Sequence, residues 1–95
     1  MENQYYIVRG KNSGVFAGNI KERNGQEVLM SNVRRLWYWD GAASISQLAA
    51  EGTVCAGNCK FSIPVDEVLV LDAIEIDTCS KKAEASIKGV KEWRR

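Results

Sequence analysis

Lys21-Glu22-Arg23-Asn24-Gly25-Gln26-Glu27-Val28-Leu29-Met30 is the stretch from which the fold is read. Asn and Gly are the residues that best tolerate the two positive φ angles of a type I′ turn, and that turn matches the twist of antiparallel strands. Asn24-Gly25 therefore predicts a hairpin, with one strand over 15–22 and the next over 27–32. Working towards the N-terminus, Gly10-Lys11-Asn12-Ser13-Gly14 is a turn cluster, and Gln4-Tyr5-Tyr6-Ile7-Val8-Arg9 is rich in aromatic and β-branched residues, as strands are. Gly18 lies inside the second strand, where a glycine marks a bulge or the close approach of another backbone.

Working towards the C-terminus, the extended segment 34–39 continues the third strand after a bulge at Asn32-Val33. Ser44-Ile45-Ser46-Gln47 fits a capping box, with Ile45, Leu48 and Ala49 on one helical face and Gly52 just past the end. Phe61 to Val65 alternates apolar and polar residues, and Pro64 is confined to a strand end or edge. Val68-Leu69-Val70-Leu71 is expected to run on through Ala73-Ile74-Glu75-Ile76 as the last strand. Ser80 caps a second helix over 81–88, ended by Gly89, and Trp93 in the tail is expected to fold back onto the body. The fold class is a small α+β domain over residues 1–95, a mostly antiparallel sheet of about five strands with two short helices.

Composition narrows the function. Thirteen Lys+Arg against twelve Asp+Glu leave a net charge of +1, too small a basic excess for bulk nucleic-acid binding. There is no histidine, so a Ser-His-Asp or Cys-His site cannot be built, and an enzyme is disfavoured. Asp66, Glu67, Asp72, Glu75 and Asp77 cluster in sequence, but their alternation suits a solvated face. Cys55, Cys59 and Cys79 are odd in number and fall short of a four-ligand zinc set, so they read as reduced structural thiols with no metal and no cofactor. No apolar run reaches the length of a membrane span, and Met1-Glu2-Asn3-Gln4 does not look like a signal peptide. The expected place is the cytoplasm. A chain of 95 residues buries a modest core, and homo-oligomerisation, a dimer first, is the expected supplement.

The unusual chemistry sits in Arg34-Arg35-Leu36-Trp37-Tyr38-Trp39-Asp40-Gly41-Ala42-Ala43-Ser44. In an extended segment Arg35, Trp37 and Trp39 share one face, and Arg34, Leu36 and Tyr38 the other. A guanidinium beside indoles can stack on a base and hold a phosphate, with Arg34 and Ser44 in support at the edge of the helix start. Tryptophans in small domains also serve as core or interface anchors, and this reading stands beside the first.

The segment from Arg34 to Ala49 resembles the signature of a family of short, uncharacterised phage and prophage proteins, a domain of unknown function. The likeness extends to Gly14-Val15-Phe16-Ala17-Gly18 and to the stretch from Ser86 to Trp93. No site residue carries over, because the family has no assigned activity. The resemblance implies an accessory protein in an infected bacterium. By analogy of class, the expected function is sequestration of a cyclic-nucleotide or cyclic ADP-ribose-type immune signal. The alternatives are a protein–protein inhibitor of a host defence protein, of anti-CRISPR type among others, or a virion or assembly component.

Overall fold

The computed structural model describes residues 3–95. Three long strands, β1 (Tyr5–Gly10), β2 (Val15–Asn24) and β3 (Glu27–Tyr38), form an antiparallel meander. The helix α1 (Ile45–Glu51) follows, then the short strand β4 (Lys60–Phe61), β5 (Val65–Val70), β6 (Ala73–Thr78) and the helix α2 (Lys81–Gly89). The sheet runs β4-β3-β2-β1-β6, and β5 pairs with the first half of β3. The α+β class read from the sequence is the one observed.

The hairpin forms, but its turn lies one residue further on than expected. Asn24 pairs with Glu27, so the loop is Gly25-Gln26. Gly25 has φ +62° while neither Asn24 nor Gln26 has a positive φ. A single positive φ at the first loop position is the type II′ pattern, which glycine alone satisfies. The expected single strand over 68–76 is two strands broken at Leu71-Asp72. The break has a partner-driven cause: β5 lies against β3, whereas β6 lies against β1 at the far side of the meander. The sheet therefore curls until its two edges meet at this link. Lys11 N–H donates to Asp72 O at 2.8 Å and Ala73 N–H to Gln26 O at 3.0 Å, tying the link to both hairpin turns. The extended reading of 61–65 is likewise divided, with Ser62 to Pro64 outside any strand.

Curling makes two cores, one on each side of the sheet. Inside the curl lie Val8, Phe16, Ile20, Val28, Met30, Val33, Val70 and Ala73. On the other face α1 and α2 cover Tyr5, Ile7, Ala17, Leu36 and Phe61 with Leu48, Ala49, Ala83 and Ile87. Neighbours Ile7 and Val8, and Phe16 and Ala17, go to opposite cores, as strand alternation requires. Both helices have serine caps: Ser44 Oγ accepts from Gln47 N–H at 3.1 Å, and Ser80 Oγ accepts from Ala83 N–H at 2.9 Å. The Gln47 side chain reaches back one residue beyond the cap, accepting from Ala43 N–H at 2.8 Å.

The alternation of β3 is broken at Asn32. Asn32 has φ 49°, the one positive φ among described non-glycine residues, and the register with β2 slips between Ser31 and Arg34. Met30 and Val33, three residues apart, consequently enter the same core. Gly18 faces the bulge. A Cβ there would lie 2.8 Å from Ser31 O, 3.0 Å from Val33 Cα and 3.1 Å from Asn32 O. All three are backbone atoms that cannot swing aside. We predict that Gly18→Ala destabilises the fold by about 1–3 kcal/mol, the usual cost of overpacking, whereas Gly25→Ala, with open space around it, costs only the strain of its positive φ, about 1 kcal/mol. Urea midpoints of the two variants check the order; equal shifts would remove the bulge contact from the account.

Candidate functional site

The bulge decides where the two adjacent arginines go. Arg34 pairs across from Ala17 and turns to the helix side; Arg35 pairs across from Phe16 and turns to the other. Arg34 is 4% exposed. Its Nε–H donates to Ser62 O at 2.8 Å, its Nη1 to Ile87 O at 2.7 Å and its Nη2 more weakly to Phe61 O at 3.4 Å. Burial pulls its pKa below the usual guanidinium value, against the opposing influence of Tyr5 and Glu92.

Arg35 has a different neighbourhood. Its guanidinium carbon lies 4.5 Å from the centre of the Phe16 ring and 5.7 Å from that of Trp37, and Nη1 donates to Ser13 O. Its backbone is clamped by Ser62: Arg35 N–H donates to Ser62 Oγ at 2.7 Å and Ser62 N–H to Arg35 O at 2.9 Å. Trp37 is 62% exposed and meets Trp93 edge to face, with ring centres 6.5 Å apart at 68°. The tail reaches Trp37 by joining the sheet beside β4. Glu92 bridges to Phe61 in parallel, and Trp93 N–H donates to Phe61 O at 2.8 Å. Lys60 and Arg95 place their charges 5.5 Å and 5.6 Å from the Trp93 ring centre. The result is an exposed pair of indoles carrying three cations, Arg35, Lys60 and Arg95. Such contacts orient a cation over the negative ring face while leaving its N–H groups available.

Of the five expected site residues, this surface gathers Arg35 and Trp37. Arg34 lies on the opposite side of β3. Trp39 does not share the face of Trp37: β3 ends at Tyr38, alternation lapses, and Trp39 packs against the helix-side core. Ser44 spends its hydroxyl on the cap of α1. Trp93, Lys60 and Arg95 were not expected here. Trp93 was read as returning to the body, but nothing local in the sequence says that it returns to Trp37. Residues 3–87 match the family described as Domain of unknown function (DUF6948). The chain belongs to that family. The match contains Arg35, Trp37 and Lys60, whereas Trp93 and Arg95 lie beyond its end. No curated protein and no solved structure matches the chain.

The acidic residues take separate structural posts. Asp72 accepts from the Ser13 hydroxyl, from Asn12 N–H and from Ser13 N–H, and these bonds hold its carboxyl below the usual range. Glu67 pairs with Lys21, and Glu75 lies 3.6 Å from Arg9. Asp77 differs. Burial, then the hydrogen bond and charge of Glu75, push its carboxyl up to about 6 from 3.8, and its Oδ2 is buried without a partner. The three cysteines are free; Cys59 and Cys79 are buried, and burial pushes the Cys79 thiol up to about 12, far from a reactive thiolate.

Because the folded state holds the Asp77 proton to a higher pH than the unfolded chain does, it binds more protons between pH 4 and 6. Stability contributed by this group therefore falls as pH rises through that window. Asp77→Asn is expected to be more stable than the parent by about 1 kcal/mol near pH 7, with the advantage vanishing near pH 4. Urea denaturation across that range checks it; an advantage independent of pH would contradict it.

Proposed function

We propose that the protein is a binding protein whose recognition surface is the Trp37–Trp93 pair with Arg35, Lys60 and Arg95, and that its ligand is a nucleotide-like anion. The single observation that carries the reading is the geometry of that pair: two indoles 6.5 Å apart, one of them 62% exposed, with cations on both. The exposed Trp37 ring offers a surface on which any base can stack, and guanidinium groups donate in a planar fork that fits phosphate oxygens. Arg35 is held in place beforehand by Phe16 and Ser13, which lowers the entropy lost on binding. No step of this chemistry calls for a nucleophile, a metal or a histidine.

The finer reading is sequestration of a cyclic-nucleotide or cyclic ADP-ribose-type signal by an accessory protein of phage origin, acting in the cytoplasm of an infected bacterium. It is supported by the resemblance of the segment Arg34 to Ala49 to short phage and prophage proteins. Among the described residues no helix is long and apolar enough to cross a membrane. Homo-oligomerisation is part of the proposal, and Val65, Leu69, Leu71 and Ile74, all exposed near the two meeting sheet edges, supply apolar surface for it.

A second reading is a protein partner, a host defence factor. It is favoured by the same exposed Trp37 and by Tyr38, 53% exposed, since aromatic residues and arginine dominate interface hot spots.

Trp37→Ala is the cleanest variant, because so much of the ring is already in solvent and the fold loses little with it. Calorimetry against cyclic di- and trinucleotides and cyclic ADP-ribose isomers is expected to show binding that Trp37→Ala weakens by about tenfold or more, the worth of one stacked base at ~1–3 kcal/mol. Arg35→Lys is expected to bind poorly, since the fork is lost. Silence across the panel, with one host protein retained by the parent and released by Trp37→Ala, would replace the nucleotide reading by the partner reading.

A further inference from the structure

A second cluster of polar groups lies on the other side of β3, away from the indole surface. Arg34 and Tyr5 form part of the wall of a pocket of about 290 Å³, together with Asn32, Pro64, Lys88, Val90 and Glu92. The floor is unusual in two ways. Arg34 is nearly fully buried, yet every hydrogen bond it makes goes to a neutral backbone carbonyl, and no described carboxylate lies within ion-pair distance of it. Tyr5 is 1% exposed, and its hydroxyl is buried with no hydrogen-bond partner. A buried charge hydrogen-bonded only to neutral carbonyls, with Glu92 beyond ion-pair distance, and a buried donor without an acceptor each destabilise the empty fold. Both deficits are met by one group, an anion that accepts from the free guanidinium N–H groups and from the phenol.

We infer that this pocket binds a small monocarboxylate, received by Arg34 and Tyr5 at its floor. Three features set the ligand class. Guanidinium and carboxylate match as planar forks. Pro64 and Val90 give the pocket apolar walls for a short hydrocarbon portion. Glu92, a carboxylate in the same wall that also pairs with Arg94 at 2.6 Å, opposes a second negative charge and so disfavours a phosphate dianion. Lys88 adds a cation at the rim: its ammonium lies 5.2 Å from the Tyr5 ring centre and is held at 2.6 Å by Glu84. A volume near 290 Å³ suits a short-chain or single-ring acid. This site is independent of the indole surface, and either can fail without the other.

The test uses the full chain at constant ionic strength, with sodium acetate, propionate, benzoate or phosphate replacing sodium chloride. Thermal denaturation is expected to rise saturably with a carboxylate and less with phosphate. Tyr5→Phe keeps the packing and removes the unpartnered hydroxyl. It is expected to melt above the parent in chloride and to bind the carboxylate about tenfold more weakly, the loss of one hydrogen bond to an ionised group. Lys88→Gln, at an exposed position, is expected to weaken binding by a smaller factor and gives a second variant that removes no buried side chain. A carboxylate effect no larger than that of chloride, equal affinity in Tyr5→Phe, or tighter binding of phosphate would overturn the inference.

Discussion

One backbone contact governs how this chain uses its arginines: the fit of Gly18 beneath the bulge at Asn32. Strand alternation is strict, so an extra residue reverses the facing of everything after it. With the bulge, Met30 and Val33 both serve the inner core, Arg34 enters the helix side and Arg35 leaves by the other. Without it Val33 would exchange faces with its neighbours, and the Leu36–Phe61 contact in the helix-side core would be lost. Alternation puts the two adjacent arginines on opposite surfaces, and the bulge decides which goes where: Arg35 to the open indole face, Arg34 to the pocket beside α2.

The two arginines then do different work with the same group. Arg34 is spent largely on the frame: through Ser62, Phe61 and Ile87 it joins β3 to the β4–β5 connection and to the last turn of α2. Arg35 is spent on presentation, since its stack on Phe16 and its bond to Ser13 hold the guanidinium beside Trp37. The C-terminal tail completes both sides. Trp93 joins Trp37 on one, while Glu92 enters the wall of the Arg34 pocket on the other. Residues 92 and 93 alternate as strand neighbours do, which the bridge to Phe61 explains.

Local signals in the sequence identified the meander, the bulge at Asn32, the close approach at Gly18 and both serine caps, because each depends on residues within a few positions of one another. Other readings were overturned, and for different reasons. The turn moved to Gly25-Gln26, because one positive φ suffices for the type II′ form. The run from Val68 to Ile76 divided, because its halves pair with strands on opposite sides of the meander. Trp39 left the face of Trp37, because the strand ended before it. The candidate sites follow the same division. Arg35 and Trp37 were legible from their alternation within β3. Lys60, Trp93 and Arg95 join them through β4 and the tail, and Tyr5 meets Arg34 across the sheet; no spacing rule records either encounter.

The central claim is that adjacent arginines on β3 occupy opposite environments, one sealed and one presented. Hydrogen exchange of the two Nε–H groups, resolved by nuclear magnetic resonance on arginine-labelled protein, tests it directly. Arg34 Nε–H, bonded to Ser62 O at 2.8 Å inside a buried side chain, is predicted to exchange far more slowly than Arg35 Nε–H. Equal and rapid exchange of both groups would show that Arg34 is not sealed, and would contradict the account.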